Sequence, residues 1–358
     1  MRNQTAKISP WQCAILLFLS RMLSFFLASP QRIQPGPVSF CLLLPLSAAA
    51  TGLFLLPAWR FCRRYPGMDL LSAARVRWGG WGNLLPAGFF LLAQMVLIQT
   101  VSAFSAFLNT AAYPETSPWL FILLLMAVAA YGAFMGREPV ARFSAFVFAA
   151  FLLTVVFVGL TLLPQLQWDS LSPPAYDSRA GILRLFVTLT AGNVEGAALI
   201  LLWPCVREKA SSVYWRFSGM TVVVLSLSVL FTSAALGDYG ATQRFPFFTV
   251  TKVAETTLFQ RLDSLHIALW VFLAVLRLAL FLQMAGRCLS VLLPTLPQRM
   301  AVLLSAGMAA LIAGCLSRGT DGLSRMADLL SGGLPGFLCL FLLPLLLCLV
   351  GRRGGAER

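Results

Sequence analysis

Charge is scarce in this sequence. Asp, Glu, Lys and Arg make up 11% of its 358 residues, against about 25% in ordinary soluble domains, which excludes a water-soluble globular enzyme. A hydrophobic content of 59% excludes intrinsic disorder, which needs the opposite bias. A single histidine, His266, leaves no basis for a multi-histidine metal centre. The eight cysteines form no CxxC pair and lie mostly in or beside apolar runs. They suit small buried hydrophobes rather than a disulfide or zinc framework. There is no Ser/His/Asp set, no glycine-rich phosphate loop carrying a Lys, and no paired carboxylate at membrane depth. Neither catalysis nor a cofactor or metal is therefore expected.

Long apolar runs are what the chain has instead, with a mean hydropathy of +0.82. A span needs roughly 20 apolar residues to cross about 30 Å of hydrocarbon. Ten candidates follow: 9–29, 37–59, 84–110, 117–136, 139–163, 182–204, 213–236, 264–286, 299–316 and 334–350. The first is read as a retained span, because Ser29-Pro30 is a poor signal-peptidase site. The chain is then one transmembrane domain in contact with the lipid bilayer. Charge asymmetry sets its expected orientation. The N-terminus, the tail and the loops near 60–82, 137–142, 205–216 and 287–299 hold 17 of the 27 Lys+Arg but only four acids, whereas the opposite loops hold eight of each. The positive-inside rule puts both termini in the cytoplasm, so the net charge of +14 is a topology signal and no nucleic-acid partner is expected. Two connectors look helical: about 67–80, opened by an Asp69 cap, and about 247–261. Both are expected to lie along the membrane interface.

Three charges remain inside spans. Arg21, Glu195 and Arg277 each lie about 12 residues into a run, roughly 18 Å deep and near the bilayer centre. Each costs on the order of 3 kcal/mol there if unpaired, so they are expected to face the bundle interior and one another. Their sum is one positive charge, which leaves a cationic centre for a carboxylate. Glu195 stands among Thr188, Thr190, Gly192, Asn193 and Gly196, small and polar residues that weaken a helix. That pattern suits either a discontinuous helix exposing backbone groups at the midplane or a close-packing GxxxG face. The third span adds Gln94, Gln99, Ser102, Ser105 and Asn109, as a polar path or as interhelical hydrogen bonds. His266 shares a helix face with Arg277 and is expected at the outer interface.

Several segments resemble the B-subunit family of bacterial spore germinant receptors, permease-like proteins of the amino acid/polyamine/organocation superfamily. They are Ile8-Ser9-Pro10-Trp11-Gln12, Arg64-Tyr65-Pro66-Gly67, Pro114-Glu115-Thr116 and Gly136-Arg137-Glu138-Pro139-Val140-Ala141-Arg142. Further along come Gly192-Asn193-Val194-Glu195-Gly196 with Leu202-Trp203-Pro204, then Phe245-Pro246-Phe247, and residues 261–283 with Arg277 where a basic residue is usual. The resemblance implies an all-α polytopic membrane fold of about ten transmembrane helices in two inverted five-helix repeats, about 8–163 and 182–350, with helices 1 and 6 broken around a ligand. One departure stands out: the chain has no glycine before Gly36, and Ser20-Arg21-Met22-Leu23-Ser24 occupies the place of the first break. The implied function is the sensing of a small nutrient, such as an amino acid, alongside A- and C-type receptor subunits, with proton-coupled amino-acid transport as the alternative. The implied ligand-binding set is Arg21, Ser24, Ser102, Gly192, Asn193, Glu195, Gly196 and Arg277.

Overall fold

Proline and glycine mark where the helices start and stop. The computed structural model describes residues 8–27, 36–64, 69–171, 178–206, 210–254, 262–317, 325, 328–330 and 333–350. Helix α1 (Pro10–Phe26) follows Ser9, α2 (Pro37–Phe54) follows Gly36 and α6 (Pro118–Met135) follows Ser117. In each case a proline fills the first turn, where its missing N–H costs nothing. Between α2 and α6 run α3 (Leu56–Arg64), α4 (Leu70–Trp78) and α5 (Leu84–Ala111). Gly136, at φ 99°, ends α6 and starts α7 (Arg137–Leu162) in a single residue, a left-handed cap that glycine alone adopts without strain. The second half comprises α8 (Arg179–Ala191), α9 (Glu195–Leu202), α10 (Ala210–Leu236), α11 (Asp238–Thr242), α12 (Pro246–Val253), α13 (Leu262–Leu292) and α14 (Gln298–Leu316). The last apolar helix, α15 (Leu334–Leu349), contains a π-helical turn at Leu338–Leu342. Among the described residues there are no strands, only an isolated bridge between Ile8 and Val206.

Among the described residues, eight helical segments are long and apolar enough to cross a membrane, and α1 and α15 are two shorter apolar ones. The protein is an integral membrane protein, with ten apolar helical segments among its described residues. Their packing partners come in twins. α1 packs on α10 as α8 packs on α2; α6 on α13 as α14 on α5; α7 on α13 as α15 on α5; and α1 on α7 as α8 on α15. Three further contacts, α5 on α13, α2 on α10 and α6 on α14, map onto themselves. One operation exchanging the first five spans with the last five accounts for all of these pairs. Five is odd, so the second repeat enters from the opposite side, and the repeats are inverted.

Burial follows position in the bundle. On α1 all but four of 17 residues are buried, and every residue of α9 is; a helix apolar on all sides belongs in the middle. By contrast α2, α6, α7, α10 and α14 present Leu46, Leu123, Leu153, Val223 and Leu311 outward, the faces that meet lipid. The two connectors pack onto the bundle. α4 does begin at Asp69, whose carboxylate accepts from the Leu71 amide at 3.4 Å, but Leu70, Leu71, Ala73 and Ala74 are buried. Arg75 donates to the Val291 carbonyl and Arg287 to Asp69, tying α4 to α13. α12 is eight residues long and buries Pro246, Phe247, Phe248, Val250 and Thr251. Of the expected 67–80 and 247–261 helices, residues 67–68 and 255–261 lie outside the described set.

The sixth span is broken and the first is not. α8 stops at Ala191 and α9 starts at Glu195, whereas α1 runs unbroken through Ser20-Arg21-Met22-Leu23-Ser24. The expected break in helix 1 is therefore corrected. No glycine or proline interrupts the helix after Pro10, so no residue there lacks an N–H or adopts a non-helical backbone at low cost.

Candidate functional site

The break in the sixth span leaves two helix ends facing the interior, each carrying the partial charge of its terminus. At the C-terminal end of α8, the carbonyls of Leu189, Thr190 and Gly192 project without helical partners. Arg21 of α1 donates to Gly192 O at 2.5 Å and to Leu189 O at 3.2 Å. Thr51 of α2 donates to Thr190 O at 3.0 Å. A cation therefore sits at the negative end of α8. At the other end Glu195 occupies the first turn of α9, the favoured place for an anion. The gap between the half-helices is filled by the protein's own charges.

Glu195 joins the two arginines. Its Oε1 accepts from Arg277 Nη1 and, at 3.1 Å, from Ser20 Oγ. Its Oε2 lies 3.7 Å from Arg21 Nη1 and has no hydrogen-bond donor. Arg277 also donates to Ser20 O at 2.7 Å, Ser20 Oγ at 2.9 Å and, through Nε, Thr100 Oγ1 at 3.1 Å. The guanidinium of Arg21 lies 4.6 Å from the centre of the Phe25 ring, and that of Arg277 lies 5.2 Å from that of Phe281. All three charged residues are buried, Glu195 completely. Two cations and one anion leave a net positive charge, distributed over backbone carbonyls, two hydroxyls and two aromatic faces. Interior charge at this depth is tolerated only with such partners.

The other expected residues divide. Gly192 contributes its carbonyl to Arg21. Asn193 lies in the break, buried, with its Oδ1 lacking a donor. Gly196 faces the tenth span: a Cβ there would meet Leu340 Cδ2 at 2.7 Å. The glycine pair thus serves both the discontinuity and close packing. Ser24 donates to the carbonyl of Arg21 in its own helix at 2.8 Å, a local bond that leaves the cluster untouched. Ser102 is buried with no hydrogen-bond partner, and α5 serves the cluster through Thr100 instead. Gln94, Ser105 and Asn109 hydrogen-bond Ser305, Pro118 and Thr116, so they tie elements together and line no path. His266 is buried against Trp270, with ring centres 4.9 Å apart.

Sequence reasoning missed Ser20, Thr51 and Thr100. Thr100 lies near the middle of α5, and matching its depth to that of Arg277 would have found it. Ser20 and Thr51 carried no signal, because a hydroxyl in an apolar helix most often bonds its own backbone.

Comparison with known proteins agrees with this geometry. No curated protein sequence matches the chain. Among solved structures, a Na+-coupled sialic acid symporter in a substrate-bound outward-open state superimposes with a TM-score of 0.68 at 13% identity, over 96% of this chain and 82% of that one. MhsT in complex with L-phenylalanine gives 0.65 at 12% identity, over 95% and 97%. Mhp1, a nucleobase-cation-symport-1 family transporter in a closed conformation with bromovinylhydantoin bound, gives 0.62 at 14%, over 92% and 78%. At these identities the likenesses show the fold alone, which the chain shares with these transporters. At the level of sequence, the spore germination protein family matches residues 43–319, more than half the chain and inclusive of the broken helix, Glu195 and Arg277. The chain belongs to the spore germination protein family of permease-like membrane proteins.

Proposed function

We propose that this protein is the permease-like membrane subunit of a spore germinant receptor, that it binds a small nutrient at the break in the sixth span, and that an amino acid is the ligand class the break suits. One observation carries the reading: buried acceptor oxygens without donors stand at the break beside an arginine held by backbone carbonyls, the Phe25 ring and a distant carboxylate. The acceptors are Glu195 Oε2, Asn193 Oδ1 and Thr190 Oγ1. An ammonium group offers three N–H donors, and a buried acceptor left unmade costs about 1–3 kcal/mol. The carboxylate of the same molecule would pair with Arg21, drawing the guanidinium away from the Leu189 and Gly192 carbonyls; Arg277, held by Ser20, Thr100 and Glu195, would stay in place. Ligand binding then exchanges one cap of α8 for another, and α1 moves relative to the broken span. A response requires that the two arrangements differ in affinity for the ligand.

In this reading the protein lies in the spore inner membrane with both termini cytoplasmic and signals to A- and C-type receptor subunits. Germination of a deletion strain against a nutrient panel identifies the ligand. Binding to the purified protein then tests the site, and Arg21→Ala and Glu195→Ala are each expected to weaken it at least about tenfold, the loss of one charged hydrogen bond. Equal binding by wild type, Arg21→Ala, Glu195→Ala and Arg277→Ala would refute the site. Proton-coupled transport is the second reading, favoured by the transporter fold. Substrate-dependent proton uptake in liposomes separates it from sensing.

A further inference from the structure

A cavity that shares no lining residue with the charged cluster lies between α1, α7, α10, α12 and α13. Its volume is about 300 Å³, and Phe26, Phe151, Gly159, Phe231, Phe247 and Leu269 form much of its wall. That volume is at the lower end for small-molecule sites. Val156, Leu160, Leu163 and Leu227 also line it and are exposed on the outer faces of α7 and α10. These side chains are apolar and outward-facing, so the cavity borders the surface that meets lipid.

Besides the hydroxyls of Thr154, Ser228, Thr232 and Thr251, one polar side chain breaks the apolar lining. His266 borders the cavity, is 9% exposed, and neither ring nitrogen has a hydrogen-bond partner. A neutral imidazole carries one N–H donor and one lone pair, and leaving both unmade in an apolar site is costly. The neighbouring hydroxyls do not supply the donor. Thr154, Ser228 and Thr251 already donate to the carbonyls of Ala150, Val224 and Phe248 in their own helices. None of the lining residues is charged, so a carboxylate, phosphate or ammonium would be desolvated there without a counter-ion.

We infer that this cavity is a binding site for a neutral, long-chain alcohol that enters from the membrane, its hydroxyl hydrogen-bonding one nitrogen of the His266 ring and its tail lying along the Phe26–Phe151–Phe247 wall. A hydroxyl can serve either imidazole position, as acceptor to the N–H or as donor to the bare nitrogen, without bringing charge. An alkyl chain matches the remaining surface.

The test uses the full-length protein in phosphatidylcholine vesicles with a photoreactive diazirine analogue of dodecanol, and locates the labelled peptides by mass spectrometry. Labelling is expected in segments 151–163, 227–232 and 247–251, competed by unmodified dodecanol. His266→Phe keeps an aromatic ring but removes the hydrogen bond, and should reduce labelling about tenfold. Gly159→Leu should abolish it by filling the cavity, since the nearest atom to a Cβ there is Phe231 Cε1 at 3.8 Å. Two control probes distinguish sources: a diazirine dodecane without the hydroxyl, and a diazirine phosphatidylcholine. Equal labelling by either control, undiminished labelling of a folded His266→Phe protein, or no label in these segments would each overturn the assignment. Should His266→Phe fail to fold, the ratio of alcohol to alkane labelling on wild type decides the matter alone.

Discussion

Glu195 is the residue on which the interior depends, because it is the one anion between two cations. Glu195→Gln leaves Arg21 and Arg277 facing each other with no counter-charge. A loss on the order of 3–5 kcal/mol is expected, the range for removing one member of a buried ion pair, and it would be read as a lower thermal midpoint of the purified protein. Arg277→Met should cost less, since Glu195 retains Arg21 at 3.7 Å and the remaining pair is neutral. The order of the two midpoints checks the assignment; Arg277→Met as the more damaging change would contradict it. Adding Arg277→Met to Glu195→Gln should also recover part of the loss, as expected for residues in direct contact. All three charges were legible in the sequence, since an ion at mid-span is too costly to stand in hydrocarbon without an interior partner. Their connectivity was not. That Glu195 bridges both arginines, and that Arg21 caps α8, depends on the rotation of four helices about their axes, which spacing along one helix leaves open.

At the scale of elements, the discontinuity is held by its neighbours. Thr51 of α2 anchors the end of α8, and Gly333 and Gly336 let the start of α15 lie directly against Ala191, where a Cβ on either would collide with that residue. Gly336→Ala should therefore push α15 away from the break. The expected result is a lower midpoint together with faster trypsin cleavage near Arg325, and a wild-type proteolysis pattern would count against this arrangement. Thr51→Val removes the hydroxyl proton shared between the Ser47 and Thr190 carbonyls and should cost about 1 kcal/mol, measurable as a small midpoint shift. Gly192 and Gly196 made the break in the sixth span foreseeable. The unbroken first span is equally written in the residues, in the absence of glycine after Pro10, although the repeat symmetry argued for a second break. Local backbone chemistry prevailed over symmetry there.

For the whole molecule, the uneven distribution of Lys and Arg makes a topological forecast. A phosphatase reporter fused after residue 320 should be active, and one fused after Arg358 inactive, because the first falls in a loop expected outside and the second in a tail expected on the cytoplasmic side. The opposite pattern would invert the protein in its membrane. Number of spans, class of fold and presence of interior charge were determined by the sequence itself, because each rests on a free energy summed along the chain: transfer of apolar residues into hydrocarbon and exclusion of charge from it. The pairing of Arg21 and Arg277 through Glu195, the role of Thr100 in place of Ser102, and the burial of His266 beside an apolar cavity were decided only in the tertiary structure. Each depends on which faces of separate helices meet. Apolar helices whose sides are chemically alike carry little in their own residues to say which side turns inward.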